Sequence, residues 1–599
     1  MKKLIKKNFF VKTYLLIKLS MPGNYFKGLY KNIFAAVARS VLDLLGIFML
    51  IPVLKIVMDK ESITEKSGGY IRWLYEFFDC SSREQLALII MSCVVAVFFV
   101  KTLLSWIIIK YQNRFFAKVA EDISMGVYLS YLNESYDFHI NNNTGILVRN
   151  FITVPFDFMQ RILMPFISLI SEMLVMIIIL VVMLFYQPMV LVFLILFILP
   201  FVYFYYRFTE LKLSKLSIKR DTQGKKYYTQ SFQDMNFFRE IVLFKRFEYF
   251  KTHYHQKLVQ IVKNIRSLNM LNDISLKIIE LVGVFGIFSI FVASFILHKT
   301  GNLAEILVFF VIALSRIIPS LNKTIAFINT IKSTEYAYKY LDSLPKDINA
   351  SRPSRIELKA TRTLRLQSKI SVRDLCFQYP AATKPTFDKI NFEIHKGETV
   401  GIVGPSGSGK TTMLNILLRL FQESDGGLYV DDEKIDLINL SAWYDLIGYV
   451  PQNIMITDAS MLENIAFGIE KEDIDMEQVK RVVTQAKLDD LVRDAENGLD
   501  TQIGEAGLKI SGGQRQRIGI ARALYIKPQV LIFDEATSAL DTQTEEAITE
   551  SIRELSHKDM TIIIVAHRVP TLKYCDRIIE LEDGKVKREV TYEELSTQS

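Results

Sequence analysis

The sequence predicts two dissimilar parts joined end to end: an α-helical domain of six membrane spans, then an α/β domain built around a phosphate-binding loop. Three observations predict this. Six long apolar windows precede residue 330, and short Val/Ile runs separated by Gly and Asp turns follow residue 343. Directly after one such run stands Gly404-Pro405-Ser406-Gly407-Ser408-Gly409-Lys410-Thr411-Thr412. Half of the 599 residues are hydrophobic while 23% are charged, which segregates a membrane part from a soluble part. At about 150 residues per domain the length allows roughly four domain-sized units and excludes a single small domain.

The first 30 residues hold seven lysines and no acid, a signal for the membrane side on which they stay. They are not read as a cleaved signal, because the apolar run starts only near Ile33, is too long and lacks a small-residue cleavage site. Lys2–Leu19 mixes lysines with Phe and Leu, which suits a helix lying on the cytoplasmic membrane surface; an ordinary amphipathic soluble helix is the alternative. Residues 1–32 are assigned to this cytoplasmic segment.

A bilayer core about 30 Å thick needs ~20 apolar residues at 1.5 Å rise. Ile33–Met58, Leu86–Ile109, Ile162–Tyr186, Met189–Tyr206 and Ile278–Leu297 meet or approach that length. Ile306–Ile328 is interrupted by Arg316, Pro319 and Lys323, and it crosses if its polar face meets protein or water. An even number of spans returns the C-terminus to the N-terminal side. The charges agree: Arg207–Lys277, placed inside, has 15 Lys/Arg against 6 Asp/Glu, and Asp59–Gln85, placed outside, has 4 against 6. The transmembrane domain is therefore 33–343, with long cytoplasmic connections, and a polar linker punctuated by Pro345 and Pro353 occupies 344–368. The α/β domain is 369–599. Cys80, Cys93, Cys376 and Cys575 form no CxxC pair and suggest neither a disulfide framework nor a metal site.

Val400–Val403 reads as a buried strand, and the loop after it opens a helix, the context that G-x-x-x-x-G-K-[ST] requires. Its glycines let backbone N–H groups wrap phosphates, Lys410 brings a compact cation to the β- and γ-phosphates, and the Thr411 hydroxyl suits Mg²⁺. Val530–Phe533 is an apolar strand ending in Asp534 and Glu535. Asp534 suits the magnesium shell, and Glu535 suits the base or water-positioning group of an in-line hydrolysis.

At Ile510-Ser511-Gly512-Gly513-Gln514 the chain closely resembles the ABC transporters, whose signature normally reads L-S-G-G-Q. The order of parts is similar to a half-size ABC exporter. That resemblance implies ATP and Mg²⁺ as cofactors, with Tyr379 stacking on adenine, Gln452 sensing Mg²⁺ and water, and His567 contacting the γ-phosphate. It also implies that Ser511, Gly512, Gly513, Gln514 and Asp541 meet ATP across a dimer, since each ATP in the family is sandwiched between the loop of one domain and the signature of another. One copy of each motif implies a second copy of the chain as partner. The resemblance places coupling elements near Asn143–Asn150 and Asn236–Glu240, and a contact segment at Gly504-Glu505-Ala506-Gly507, where the family often has Arg in place of Ala506. Phe237 and Phe238 would insert into a groove or be buried within their own loop.

The charges inside the spans bear on substrate. Arg39 and Asp43 are four apart on one helix face and would neutralise each other; otherwise Arg39 is a candidate substrate-binding cation. Arg316 and Lys323 are seven apart, share a face and have no acid within a turn, so they offer a cationic strip to phosphate or pyrophosphate. The competing readings are pairing with Glu172 or Glu280 and snorkelling of Lys323. The stretch Ala313–Lys323 is also similar to the last span of bacterial ABC flippases for lipid-linked oligosaccharides, which implies an anionic amphipathic lipid moved outward. Peptide or multidrug export, and an ATPase that regulates a membrane partner, are the alternatives. The expected location is a bacterial inner membrane, with the termini and ATPase domain cytoplasmic; membrane lipids are partners and nucleic acid is not.

Overall fold

A computed structural model of the protein describes residues 9–21, 23–48, 83–186, 188–296, 303–341, 364–380, 382–504, 510–534, 549–550, 552–555, 560–566 and 568–597. The chain forms two compact units, Met1–Glu134 with His139–Ser351, and Arg352–Ser599 with Ser135–Phe138.

The helical unit contains α1 (Phe9–Ser20), α2 (Phe26–Phe48), α3 (Arg83–Leu132), α4 (Tyr136–Asn141, divided between the units), α5 (Thr144–Phe158) and α6 (Met164–Tyr186). It continues with α7 (Pro188–Asn236), α8 (Phe238–Leu243), α9 (Phe247–Ile296), α10 (Leu303–Ser333) and α11 (Tyr336–Leu341). Five of the six apolar windows fall within α3, α6, α7, α9 and α10, save Ile162 and Leu163, which form the turn before α6, and Leu297, which lies outside the described residues; the first begins in α2, and its last ten residues are likewise outside. Among the described residues, Leu88–Leu132 and Thr144–Phe185 are long and apolar enough to cross a membrane by length and composition.

Helices α3 and α9 have 50 residues each and α7 has 49. At 1.5 Å per residue each is about 75 Å long, more than twice the hydrocarbon thickness. Their apolar parts keep large side chains in the open, including Phe99, Trp106, Phe204 and Phe288. Lipid or a second chain, rather than water, suits such a surface.

Proline removes one backbone donor from a helix. In α5 this falls at Pro155, which leaves the carbonyl of Phe151, four residues earlier, without its helical partner; the Ser124 hydroxyl donates to that oxygen at 2.6 Å. A π-helical turn, Met159–Leu163, follows and joins α5 to α6. Ile162, Leu163, Phe166 and Phe158 from this joint are buried together with Ile123 of α3 and Leu29 of α2.

The second unit carries two sheets. β1 (Lys369–Phe377), β2 (Phe387–His395), β4 (Asp425–Val430) and β5 (Glu433–Lys434) form an antiparallel sheet ordered β2-β1-β4-β5. The larger sheet is ordered β10-β9-β3-β8-β7-β6, with β3 (Thr399–Val403), β6 (Ile447–Val450), β7 (Val530–Asp534), β8 (Thr561–Val565), β9 (Arg577–Glu582) and β10 (Lys585–Val590). All neighbours in it are parallel except β10 and β9. β8 is buried at every position, as its uninterrupted Thr-Ile-Ile-Ile-Val run requires of a strand covered on both faces. Leu364 and Leu366, read from sequence as linker, are buried in this unit's core with Ile370 and Phe392.

Candidate functional site

The parallel register sets the nucleotide site. Asp534, the last residue of β7, lies opposite Val565 of β8, and Val565 lies opposite Ile402 of β3. The Asp534 carboxylate and the loop leaving β3 thus emerge at one level of the sheet's carboxyl edge, where open α/β sheets bind ligands.

The loop Gly404–Gly409 runs from β3 into α12 (Lys410–Leu417). A Cβ on Gly404 would sit 2.1 Å from the Leu581 carbonyl oxygen, and one on Gly409, whose φ is +102°, would sit 2.7 Å from the Phe387 ring. Only glycine fits either place. Gly409 caps α12 without any side-chain hydrogen bond, so the first N–H groups of that helix face the loop. Lys410 is buried, and its Nζ donates to the carbonyls of Gly404 (2.7 Å) and Pro405 (3.0 Å). The Ser408 hydroxyl is buried with no hydrogen-bond partner among the described residues, while Thr411 is exposed on the first turn. Helix N–H groups, a buried ammonium and an orphaned hydroxyl around a glycine cradle fit a phosphate chain, and Thr411 with Asp534 supplies oxygen donors that fit Mg²⁺.

Tyr379 stands in an aromatic cluster. Its ring meets Phe377 edge-on at 5.0 Å and Phe421 edge-on at 5.6 Å, and those two stack at 5.3 Å. Its hydroxyl shares a 2.8 Å hydrogen bond with Thr412 of α12. The platform expected for adenine is therefore tied to the phosphate-binding helix.

Ser511 begins α13 (Gly512–Tyr525) with a capping box: its hydroxyl accepts from the Gln514 N–H (3.2 Å), and Gln514 Oε1 accepts from the Ser511 N–H (2.8 Å). The spacing of Ser and Gln in the signature is thus the spacing a helix start needs, and its first N–H groups suit an anion. Gln452 is exposed two residues beyond β6. Glu535, His567, Asp541 and Glu505-Ala506-Gly507 lie outside the described residues, and Gly504 alone of its segment is described.

Sequence reasoning missed two residues here. The Tyr449 hydroxyl donates to Asp534 Oδ2 at 3.3 Å, and burial together with the Asp534 charge raises its pKa, so the phenol stays a donor at neutral pH. Its one sequence signal is a hydroxyl in the otherwise apolar β6, three residues before Gln452. Arg522 of α13 donates to the Asn464 carbonyl (2.8 Å) and the Met455 carbonyl (3.0 Å), tying the signature helix to the segment after Gln452.

In the helical unit, Asp43 pairs with Lys101 of α3 at 2.9 Å instead of Arg39, its neighbour on α2. Lys323 pairs with Glu172 of α6 at 3.0 Å, and the Ser320 hydroxyl donates to the other Glu172 oxygen at 2.6 Å. Arg316, one turn before Ser320, has a buried Nε with no hydrogen-bond partner. Among the described residues neither Arg316 nor Arg39 has an ion pair, and both are half-buried.

The coupling elements expected by resemblance fall differently. Asn143–Asn150 starts α5, a packed helix in which Arg149 and Asn150 are buried, because Arg149 turns inward to Asp221 of α7. The short helix α4 lies just before it. Phe237 and Phe238 join α7 to α8 and are exposed, which leaves burial within their own loop aside.

Beside Arg149 the structure holds a cavity of about 380 Å³ lined by Arg149, Asp157, Arg161, Arg220, Asn272 and Tyr336 among others. Its ion pairs are crossed: Arg149 of α5 donates to Asp221 of α7, and Arg220 of α7 donates to Asp157 of α5. Tyr340 of α11 donates to Asp221 at 2.8 Å, and Tyr336 donates to Asp157.

Comparison with known proteins agrees with this fold. The family described as ABC transporter transmembrane region matches residues 29–318, and the family described as ABC transporter matches residues 387–538. The chain is 40% identical over 220 residues to an ATP-dependent lipid A-core flippase of Cupriavidus pinatubonensis, a stretch covering 37% of each protein. It is 34% identical over 299 residues to the chloroplastic ABC transporter B family member 29 of Arabidopsis thaliana, covering 49% of this chain and 46% of that one. These matches thus span less than half of each relative. A solved bacterial Atm1-family ABC exporter with ATP bound has the same fold, with a TM-score of 0.73 at 21% identity over 95% of this chain and 96% of that one. With a transmembrane region and an ABC ATPase domain in one polypeptide, the chain belongs to the ABC transporters and has the architecture of a half-size exporter.

Proposed function

We propose that the protein is an ATP-driven flippase that works as a homodimer in a bacterial inner membrane and moves an anionic amphipathic lipid, best a lipid-linked oligosaccharide, to the outer leaflet. The observation that carries the substrate class is Arg316. Lys323 has a carboxylate partner and, among the described residues, Arg316 has none; an unpaired guanidinium inside a span is costly enough to be kept for a ligand. Arg39 adds a second half-buried cation. The planar fork of arginine matches pyrophosphate oxygens better than an ammonium does. The relative named a lipid A-core flippase supports the same class, although its likeness lies in one stretch.

ATP would lie on the glycine cradle, with Lys410 turning from the loop carbonyls to the phosphates and Tyr379 beneath adenine. Magnesium, held by Thr411, Asp534 and Gln452, would neutralise charge developing on the phosphates. Glu535 would accept a proton from the attacking water, and His567 would hold the γ-phosphate. Ser511 and the α13 N-terminus of a second copy would close over that phosphate, so ATP binding joins two domains and hydrolysis parts them.

The test measures ATPase stimulation by a polyprenyl-pyrophosphate saccharide in nanodiscs. Arg316→Ala is expected to lose at least tenfold in apparent affinity for the lipid with basal ATPase kept, and Lys323→Ala to lose less. Equal loss of basal and stimulated activity in Arg316→Ala would make it a structural arginine. Stimulation by amphipathic peptides or drugs but not by the saccharide lipid would replace the substrate class.

A further inference from the structure

Tyr449 is the third residue of β6 and lies opposite Ile532 in parallel register with β7. Side chains at one register level of adjacent strands share a face, and two residues of strand advance about 6.6 Å, roughly the length of a tyrosine side chain. The ring therefore spans from Ile532 to the strand's end, and its hydroxyl meets Asp534 Oδ2 at 3.3 Å. Tyr449 is partly buried and packs against the unit's core. An ionised carboxylate is acceptor-only, so this O–H, at the long end of hydrogen-bond range, biases the orientation of one of its oxygens. Tyr449 is also three residues before Gln452 on a continuous backbone, so one side chain ties the metal-side carboxylate to the start of the glutamine loop.

We propose that Tyr449 is a positioning residue: its hydroxyl orients Asp534 for the magnesium of bound ATP. This rests on the nucleotide-site reading above. Groups that orient a metal's ligands typically change metal affinity by about 10- to 100-fold when removed. The tyrosine is specific in this, because Phe would fill the same space without the donor.

The experiment uses the full-length chain with Glu535→Gln, so that bound ATP is not turned over, with or without Tyr449→Phe. Mn²⁺ binding is followed by electron paramagnetic resonance in the presence of ATP, and binding of a fluorescent ATP analogue is measured in EDTA. The expected result is about tenfold weaker Mn²⁺ binding with Tyr449→Phe and unchanged nucleotide affinity in EDTA. Identical Mn²⁺ titrations would overturn the inference, as would an equal loss of nucleotide binding in EDTA, which would make the hydroxyl merely structural. Failure of the protein that keeps Tyr449 to bind either Mn²⁺-ATP or the analogue would instead overturn the nucleotide site itself.

Discussion

Lys323 Nζ lies 3.0 Å from Glu172 Oε1, an ion pair between two helices, whereas Arg316, seven residues earlier, has no carboxylate partner among the described residues. Glu172 therefore sets how much positive charge this region offers. Glu172→Gln keeps the size of the side chain and releases Lys323. The apparent affinity for a pyrophosphate lipid should rise roughly three- to tenfold, equivalent to about 1 kcal/mol. Lipid titration of the ATPase checks this, and an unchanged or lower affinity would remove Lys323 from any part in substrate binding.

Arg149 and Asp221 are both buried, and both guanidinium nitrogens donate to the same carboxylate oxygen at 3.2 Å. Removing one partner of an isolated buried pair typically costs about 3–5 kcal/mol; here Lys225, at 3.8 Å, and the Tyr340 hydroxyl still face Asp221 and lessen that loss. Arg149→Met alone should lower the thermal stability of the detergent-solubilised protein sharply, and adding Asp221→Leu should recover part of the loss. A double variant as unstable as the sum of the singles would show that the two residues act independently.

Asp431 accepts backbone N–H bonds from Gln367 (3.0 Å), Ser368 (2.7 Å) and Lys369 (2.9 Å) where the chain enters β1. Burial opposes its ionisation, but these N–H groups and the Lys396 charge outweigh burial and hold the carboxyl below its usual range. A depressed folded pKa means that the stabilisation is present above the unfolded value of about 3.9 and is lost as pH falls through the folded one. Because the site is largely open to solvent, which screens the charge, Asp431→Asn should cost no more than about 1 kcal/mol at pH 7. The gap between variant and wild type should close below about pH 4 in unfolding measurements across pH.

Gly404 and Gly407 separate two requirements of the loop. A Cβ at Gly404 collides with a backbone oxygen, whereas at Gly407, with φ +84°, it meets open space and faces only backbone strain. Gly404→Ala should abolish nucleotide binding. Gly407→Ala should weaken it by the equivalent of about 1–2 kcal/mol. Equal effects, measured with a fluorescent ATP analogue, would mean that strain rather than collision governs both.

Local pattern made the phosphate loop, the strand ending at Asp534 and the signature helix start legible, because each is a run of adjacent residues whose types follow from backbone geometry. The Ser511–Gln514 capping box and the Gly404 cradle are two such cases. Pairings across the fold were legible only in part: Glu172 is among the partners the sequence offers Lys323, and the structure forms that pair, but other pairings were not legible. Arg39 and Asp43 looked like partners because helical spacing puts them on one face, yet Lys101 of another helix takes Asp43. Arg149 and Asp221 are 72 residues apart, and no periodicity in either segment announces that they meet. The Leu364 and Leu366 side chains were hidden by the polar residues around them, which looked like linker although the two leucines enter the core.

ATP-dependent translocation of a labelled polyprenyl-pyrophosphate oligosaccharide in proteoliposomes containing only this protein bears most directly on the proposed activity. Wild type should move the lipid to the opposite leaflet, and Glu535→Gln, able to bind ATP, should not. Intact ATPase with no lipid movement in wild type, or equal movement in both proteins, would contradict an ATP-driven flippase of anionic lipid.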